Sequence, residues 1–144
     1  MLILFEHTEY FKWKAVSPGE KMVEDDAPLV GFTQNALVAF TTILNEDVAP
    51  DTVEKLLAKV VKRIYKTTLA VNATTVVLYP FAHLSNQQLA EPKIAIGILR
   101  QIEMQLLQLN PRLTVVRTPF GWHKQREGKT AGHEQSVLLR EVRI

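Results

Sequence analysis

Two stretches of the chain repeat apolar residues at the spacing of a helix with one buried face. The first follows Pro50-Asp51-Thr52-Val53-Glu54, where Asp51 can cap a helix and Glu54 can close a capping box. The second follows Pro92 and stops at Asn110-Pro111. The predicted buried stripes are Val53, Leu56, Leu57, Val60, Val61 and Ile64 in the first helix, and Ile94, Ala95, Ile98, Leu99, Ile102, Leu106 and Leu109 in the second. The pattern predicts two main amphipathic helices.

The remaining apolar runs have the length and composition of strands. They cover residues 1–5, 36–44, 74–79, 113–118 and 136–144. Phe11, Trp13 and Ala15 alternate with lysines, which predicts a further half-buried strand, paired to the first through a turn near residues 7–9. Helices that alternate with nearly continuous apolar strands indicate an α/β fold, in which helices pack on a mixed β-sheet.

Composition narrows the class of protein. The 144 residues, 47% of them hydrophobic, fit one globular domain spanning residues 1–144. Cysteine is absent, which excludes disulfides and thiolate chemistry. No apolar run reaches the ~20 residues that span a bilayer, and no signal segment is evident, so we expect a cytoplasmic protein without a membrane partner. The polar segment 17–28 is predicted to be a mobile loop.

Charge and motif spacing exclude several functions. A net charge of +2 is too small for a protein that coats long nucleic acids, although the last third of the chain is basic. His83, His123 and His133 lack partners at metal-ligand spacing, so we predict no metal site. The chain also lacks a GxSxG elbow and a glycine-rich phosphate loop, which disfavours a serine triad and nucleotide-dependent catalysis, and no cofactor is predicted.

Three segments at predicted strand ends remain as candidates for chemistry. They are Tyr79-Pro80-Phe81-Ala82-His83-Leu84-Ser85, Pro119-Phe120-Gly121-Trp122-His123-Lys124 and Gly132-His133. Loops at strand ends commonly carry function. We predict a pocket walled by Phe81, Phe120 and Trp122, with His83, His123 and Lys124 nearby; the alternative is that these aromatic residues belong to the core.

These three segments, in this order and spacing, resemble the signature segments of the N-terminal editing domain of archaeal-type threonyl-tRNA synthetases. The opening residues 4–10 and the strand Leu37-Val38-Ala39-Phe40 are similar to that family as well, so the likeness covers essentially the whole chain. The resemblance implies a fold like that of D-aminoacyl-tRNA deacylases. It also implies a function, the hydrolysis of serine from mischarged threonine tRNA, with threonyl-tRNA spared.

An editing step that follows the charging of the tRNA is physically necessary in such a system. One missing methyl group discriminates serine from threonine by only about 1–3 kcal/mol in a binding pocket. The resemblance places the serine beside Ala82, with its amine and hydroxyl held by backbone groups of residues 80–82 and 39–41. The residues assigned to substrate binding are Pro80, Phe81, Ala82, Ala39, Phe40, Thr41, Phe120, Gly121, Trp122, His123 and His133.

The resemblance also assigns roles in hydrolysis. Lys124 matches the family's motif lysine, and its ammonium is expected to stabilise the oxyanion or a nearby phosphate. His83 is the second catalytic candidate, as a group that orients the water or the terminal nucleotide. His123 stands where other members have a tyrosine, and Val137 where they have a carboxylate. These departures favour catalysis by backbone groups and the vicinal 2′-hydroxyl of the terminal adenosine.

Partners follow from the same resemblance. Arg117 and Arg126 are expected to contact phosphates of the tRNA acceptor end, and an aromatic residue can stack on the terminal adenine. The basic face of the first helix is interpreted as a solvated surface, with an RNA contact as the alternative. We expect a homodimer, with synthetase or anticodon-binding domains in the full-length protein. The competing functions are a D-aminoacyl-tRNA deacylase and a non-catalytic module that binds the tRNA acceptor end.

Overall fold

A six-stranded mixed sheet with two helices forms the framework of the protein. The computed structural model describes all of residues 1–144. The strands are β1 (Leu2–Pro18), β2 (Val30–Thr42), β3 (Thr75–Pro80), β4 (Thr114–Arg117), β5 (Trp122–Thr130) and β6 (Val137–Glu141), and the helices are α1 (Val53–Ala70) and α2 (Pro92–Leu109). The strand order is β4-β3-β2-β1-β5, and β6 also pairs with β1. The predicted α/β class with a mixed sheet is confirmed.

The sheet is parallel on one side and antiparallel on the other. Strands β2, β3 and β4 pair in parallel, because helices α1 and α2 provide the crossovers between them. Strand β1 pairs antiparallel with β2 along one edge. Its other edge is shared by β6 over the first residues and by β5 over the rest. Neither helix is long and apolar enough to cross a membrane.

Strand β1 differs from the prediction. The expected turn near residues 7–9 is wrong, because one strand runs without interruption from Leu2 to Pro18. Pairing with β2 continues from Leu2 opposite Thr42 to Lys14 opposite Val30, so β2 also begins earlier than predicted. Backbone pairing to both neighbours keeps the strand extended through the polar stretch at residues 6–10, which contains neither glycine nor proline to initiate a turn.

Strand β5 was not predicted as a strand. Eight of its nine residues are polar or glycine, and most are exposed to solvent. An edge strand of this kind lacks the apolar alternation from which a strand is recognised. Its pairing partner, the distant strand β1, determines its conformation. The 119–124 segment therefore leads into a strand instead of lying wholly in a loop.

The helices pack on one face of the sheet, as their periodicity predicts. The core joins their inner sides to alternate residues of β1, β2 and β3 such as Phe5, Leu37 and Leu78. Ile94 and Leu109, which were assigned to the buried stripe of α2, are 43% and 53% exposed, so that part of the prediction is wrong. Ile94 is the third residue of the helix and Leu109 is its last.

The predicted capping box at Asp51 is also absent. Helix α1 has Thr52 at its N-cap, and no side chain caps it. The carbonyl oxygen of Ala49 instead accepts hydrogen bonds from the amides of Thr52 and Val53, at 3.1 and 2.9 Å. This backbone turn satisfies amide groups that a capping side chain otherwise serves.

The opposite face of the sheet carries an aromatic cluster. Phe11, Phe40 and Tyr79 meet there with ring centroids 5.0 to 6.2 Å apart, close to Trp13. Phe40 and Tyr79 sit opposite each other at the ends of the parallel strands β2 and β3. The cluster lies beside the site described below, and its member Tyr79 lines that site.

Candidate functional site

A cleft of about 710 Å³ opens where β3 ends and β5 begins. It is bounded by the loop after β1, by the segment that follows β3, by the start of α2 and by the first half of β5. Residues that line it include Gly19, Met22, Thr41, Tyr79, Pro80, Phe81, Ala82, His83, Leu99, Phe120, Gly121, Trp122, His123, Lys124 and Arg126. Two of the three predicted segments, 79–85 and 119–124, therefore meet at one site. All six residues of the predicted aromatic and polar pocket line it.

Lys124 is the most strongly perturbed group in the cleft. Its Nζ donates hydrogen bonds to the carbonyl oxygens of Pro119 at 2.8 Å and Trp122 at 3.2 Å. The same nitrogen lies 5.0 Å from the centroid of the Tyr79 ring. Burial lowers the pKa of Lys124 to about 8, although the charge of Glu24 acts in the opposite direction. Because an ammonium has three N–H groups, one donor remains for a substrate oxygen.

Arg126 provides a second cation on the same strand. Its guanidinium lies 5.3 Å from the ring centroid of Phe40, 5.7 Å from that of Phe81 and 5.9 Å from that of Tyr79. No carboxylate forms an ion pair with it. Aromatic faces hold the guanidinium in place without neutralising it, so its charge remains available to an anion in the cleft.

The segment after β3 is fixed to β2 by hydrogen bonds. The amide of Phe81 donates to the carbonyl oxygen of Thr41 at 2.9 Å. The hydroxyl of Thr42 donates to the carbonyl oxygen of Phe81, and the amide of Leu84 donates to that hydroxyl at 3.4 Å. Ala82 and His83 lie exposed on the rim between these anchors. The rim of the cleft is therefore well defined where the serine is expected.

Gly121 permits the opposite wall of the cleft to form. Its φ is +82°, a left-handed conformation that favours glycine, and a Cβ at this position would lie 2.1 Å from the carbonyl oxygen of Met22. Its carbonyl oxygen accepts a hydrogen bond from the amide of Gly19 at 2.7 Å. The loop after β1 therefore packs directly against the start of β5.

Three residues assigned to substrate binding do not line the cleft. The side chain of Ala39 is fully buried among the helices, and Phe40 is buried in the aromatic cluster. His133 follows the far end of β5, roughly 25 Å of strand away from Trp122 at ~3.3 Å per residue. Its Nε2 lies 2.6 Å from Nδ1 of His7, outside the cleft. His133 and the side chains of Ala39 and Phe40 therefore lie outside the cleft, whereas the expected contact of the substrate with backbone groups of residues 39–41 stays a prediction.

Arg117 is held by carboxylates, so it is not available to phosphates. Its side chain is only 11% exposed, with Nη1 2.5 Å from Glu24 and Nε 3.1 Å from Glu103. The prediction that it contacts the tRNA acceptor end is therefore not supported by its position. Arg126, in contrast, lies on the wall of the cleft.

Glu24 is the residue of this region that sequence reasoning missed. Its side chain is 2% exposed and accepts hydrogen bonds from Arg117, from Arg100 at 3.3 Å and from the amide of Phe120 at 3.3 Å. Its carbonyl oxygen accepts one from the indole of Trp122 at 2.8 Å. The segment predicted to be a mobile loop is thus anchored to α2, β4 and β5. The cluster of acids at residues 24–26 was the available signal.

The side chains of the cleft determine which chemistry it can support. No group of three His, Cys, Asp or Glu side chains anywhere in the chain could hold a metal ion. The cleft instead combines two cations, aromatic walls and a small residue on its rim. Such a site suits a ligand that carries negative charge for the cations and a flat or apolar part for the aromatic walls.

Comparisons with known proteins identify related sequences. A sequence model of the family described as "Archaea-specific editing domain of threonyl-tRNA synthetase" matches residues 1–142. The threonine-tRNA ligase of Methanosphaera stadtmanae is 40% identical over 99% of the chain, and that of Pyrobaculum neutrophilum is 36% identical over 99%. The chain spans 22% of the length of each of these relatives.

A solved structure shows the same fold. The chain superposes on the c-Myc DNA unwinding element binding protein with a TM-score of 0.68, at 11% sequence identity, over the full length of both chains. This agrees with the D-aminoacyl-tRNA deacylase-like fold expected from the sequence. With the family match over residues 1–142 and the two relatives, it leads to one conclusion: the chain belongs to the family of archaea-specific editing domains of threonyl-tRNA synthetase.

Proposed function

We propose that the protein hydrolyses the ester of mischarged L-seryl-tRNA(Thr) and spares threonyl-tRNA(Thr). The observation that carries this proposal is the position of Lys124 and Arg126 on β5, in one cleft with the anchored 79–85 segment. The family supplies the context of threonine charging and editing. The cleft supplies a cation for the ester oxygen and a second cation for a phosphate of the acceptor end.

Selectivity is assigned to the space around Ala82. Threonine differs from serine by one methyl group, and a close-packed site rejects an added methyl through steric overlap. Thr41 and Phe81 lie next to Ala82 on the cleft, joined by the hydrogen bond between their backbones. We assign the exclusion of threonine to the anchored backbone of this wall.

Enlarging Ala82 tests the selectivity proposal. We expect Ala82→Val to lower the rate of serine release by about 100-fold or more, because the added methyl groups occupy the space of the substrate. Release of serine from seryl-tRNA(Thr) is measured in single-turnover experiments, with Ala70→Val as a control at an exposed position outside the cleft. Unchanged serine release by Ala82→Val contradicts this assignment of the substrate pocket.

Hydrolysis requires water to add to the carbonyl carbon of the ester. The negative charge on the carbonyl oxygen is stabilised by the Lys124 ammonium, the bond to the ribose oxygen then breaks, and that oxygen takes up the proton released by the water. Lys124 is protonated below pH about 8 and cannot accept this proton while charged. We therefore assign orientation of the water to the vicinal 2′-hydroxyl of the terminal adenosine, with His83 as a second orienting group.

A modified tRNA tests the role of the 2′-hydroxyl. We expect seryl-tRNA(Thr) that ends in 2′-deoxyadenosine to lose its serine at least 100-fold more slowly than the unmodified substrate, because the water lacks its orienting group. The binding affinity of the two tRNAs, measured in parallel, serves as the control. Hydrolysis of the deoxy substrate at the full rate rules out assistance by the substrate.

The acceptor end is proposed to enter along β5. Arg126 contacts a phosphate, and Trp122, partly exposed at the cleft, offers a face for the terminal adenine. In the full-length protein we further propose a homodimer and the attachment of synthetase or anticodon-binding domains. The much greater length of the relatives supports the second of these proposals.

A further inference from the structure

A second, smaller hollow lies on the outer side of α1, away from the residues of the cleft. Its volume is about 350 Å³, and it is lined by Lys59, Lys62, Arg63, Lys66, Glu141, Val142 and Arg143. Five of these seven residues are basic and one is acidic. The hollow thus has a net charge of +4, whereas the whole chain carries +2. Positive charge is concentrated here, and the remainder of the chain is net negative.

The cations of the helix are not neutralised within the protein. None of the four basic residues of α1 in the hollow forms an ion pair. The acidic member, Glu141, is bound to Arg143. The four helical cations follow one another at steps of three, one and three residues, which places them along one side of the helix over ~10 Å. A stripe of this length faces several successive phosphates of a nucleic acid strand.

Residues 141–143 form the second wall of the hollow, and the N-terminal residue Met1 holds them in place. The amide of Val142 donates a hydrogen bond to the carbonyl oxygen of Met1 at 2.8 Å. The amino group of Met1 donates to the carbonyl oxygen of Val142 at 3.0 Å and to the carboxylate of Asp47 at 2.7 Å. Lys59 Nζ donates to the carbonyl oxygen of Arg143 at 3.1 Å. These bonds fix the concave shape before any partner binds, which reduces the entropic cost of binding.

The composition of the hollow favours RNA over a protein partner. Protein interfaces are enriched in aromatic residues and depleted of lysine, whereas this hollow contains one hydrophobic residue, Val142, which is 8% exposed. Nucleic-acid interfaces are more polar and far more positive. No aromatic side chain lines the hollow for base stacking, which single-stranded RNA requires, so backbone contact with paired RNA fits best.

We infer that this hollow is a docking site for the phosphate backbone of a double-stranded arm of the tRNA. The inference rests on the proposed function for the identity of the RNA. The two sites then have different roles. The hollow binds the backbone of paired RNA independently of its sequence, and the cleft binds the single-stranded acceptor end.

The experiment measures binding of uncharged threonine tRNA by fluorescence anisotropy between 50 and 200 mM KCl. For the triple variant Lys59→Gln, Lys62→Gln, Lys66→Gln we expect binding roughly tenfold or more weaker at 100 mM KCl. We also expect the slope of log affinity against log salt to fall by about 2.7, at ~0.9 for each phosphate that the variant no longer neutralises. The matched control replaces three exposed basic residues that line neither the cleft nor the hollow, Lys12, Lys14 and Arg112, with glutamine and is expected to bind like the wild type.

Three outcomes decide the inference. It is overturned if the triple variant binds with wild-type affinity and salt slope, or if the control is weakened as much. It is also overturned if a single-stranded RNA of equal length competes as well as a paired acceptor-arm hairpin. Serine release at saturating protein concentration is measured separately, and we expect the triple variant to retain it. Failure of the docking site is thus distinguished from failure of the proposed hydrolysis.

Discussion

Lys124→Met is expected to slow the release of serine by about 100-fold to 1000-fold. Removal of one preorganised donor to a developing oxyanion has an effect of this size. Methionine keeps much of the length of the side chain but removes the ammonium that donates to the carbonyl oxygens of Pro119 and Trp122. The measurement is single-turnover hydrolysis of seryl-tRNA(Thr) at pH 7. Retention of wild-type activity by Lys124→Met contradicts an electrostatic role of this residue.

The pH dependence gives an independent test of the same role. Because the pKa of Lys124 is about 8, the rate above the uncatalysed background is expected to fall as the pH rises through about 8. A Lys124→Arg variant remains charged in this range, so any activity that it keeps is expected not to show that fall. A wild-type rate that instead rises through pH 8, after subtraction of the background, indicates that neutral Lys124 is the active form.

Unfolding does not explain the expected effect of Lys124→Met. The folded protein lowers the pKa of Lys124 from 10.5, so the favourable contribution of this group to stability is complete above pH 10.5 and is lost as the pH falls through about 8. At pH 7 the buried ammonium therefore disfavours the folded state. Lys124→Met relieves this cost but also removes the hydrogen bonds to Pro119 and Trp122, so we expect it to unfold close to the wild-type temperature at this pH, which thermal unfolding checks.

Glu24→Gln is expected to destabilise the protein by about 3 kcal/mol, since removal of one partner from a buried ion pair is strongly destabilising and leaves Arg117 with Glu103 as its one remaining carboxylate. Glu24 is 2% exposed and Arg117 is 11% exposed, so neither group is well solvated. For a domain of 144 residues this corresponds to a decrease in Tm of roughly 6 to 12 °C. The measurement is thermal unfolding at pH 7, followed by circular dichroism.

A neighbouring carboxylate provides the matched control for Glu24. Asp26 also contacts Arg100, at 2.7 Å, but the side chains of both partners are at least half exposed. Exposed pairs of this kind contribute little to stability. Asp26→Asn is therefore expected to unfold at the wild-type temperature. Equal unfolding temperatures for Glu24→Gln and the wild type contradict the anchoring role of Glu24.

The sequence was sufficient for the features that local patterns encode. Helix α2 begins at Pro92 and is capped at Asn110, because the restrictions that proline imposes on the backbone act within a few residues. The buried stripe of α1 also agrees with its periodicity, since Val60 and Ile64 are fully buried. The meeting of segments 79–85 and 119–124 followed from the rule that loops at strand ends form sites, together with the family resemblance.

Features determined by distant pairing were not predictable in the same way. Strand β5 depends on backbone partners in β1 that lie more than 100 residues away along the chain, and such pairing leaves no local period. Glu24 pairs with Arg117, which follows it by 93 residues along the chain. This distant contact anchors a polar segment whose sequence is typical of a mobile loop. His133 is the opposite case. It is close in sequence to the 119–124 segment, but β5 separates the two in space, so His133 lies far from the cleft.

The most direct test of the account compares the release of L-serine and L-threonine from the same threonine tRNA. The rates are measured with the wild-type protein, with Lys124→Met and without protein. We predict rapid loss of serine with the wild type alone, while threonine remains attached for the duration of the assay. A D-aminoacyl ester of the same tRNA is assayed in parallel. Its cleavage in place of the L-serine ester identifies a D-aminoacyl-tRNA deacylase. Binding of the tRNA with neither ester cleaved contradicts the proposed hydrolysis.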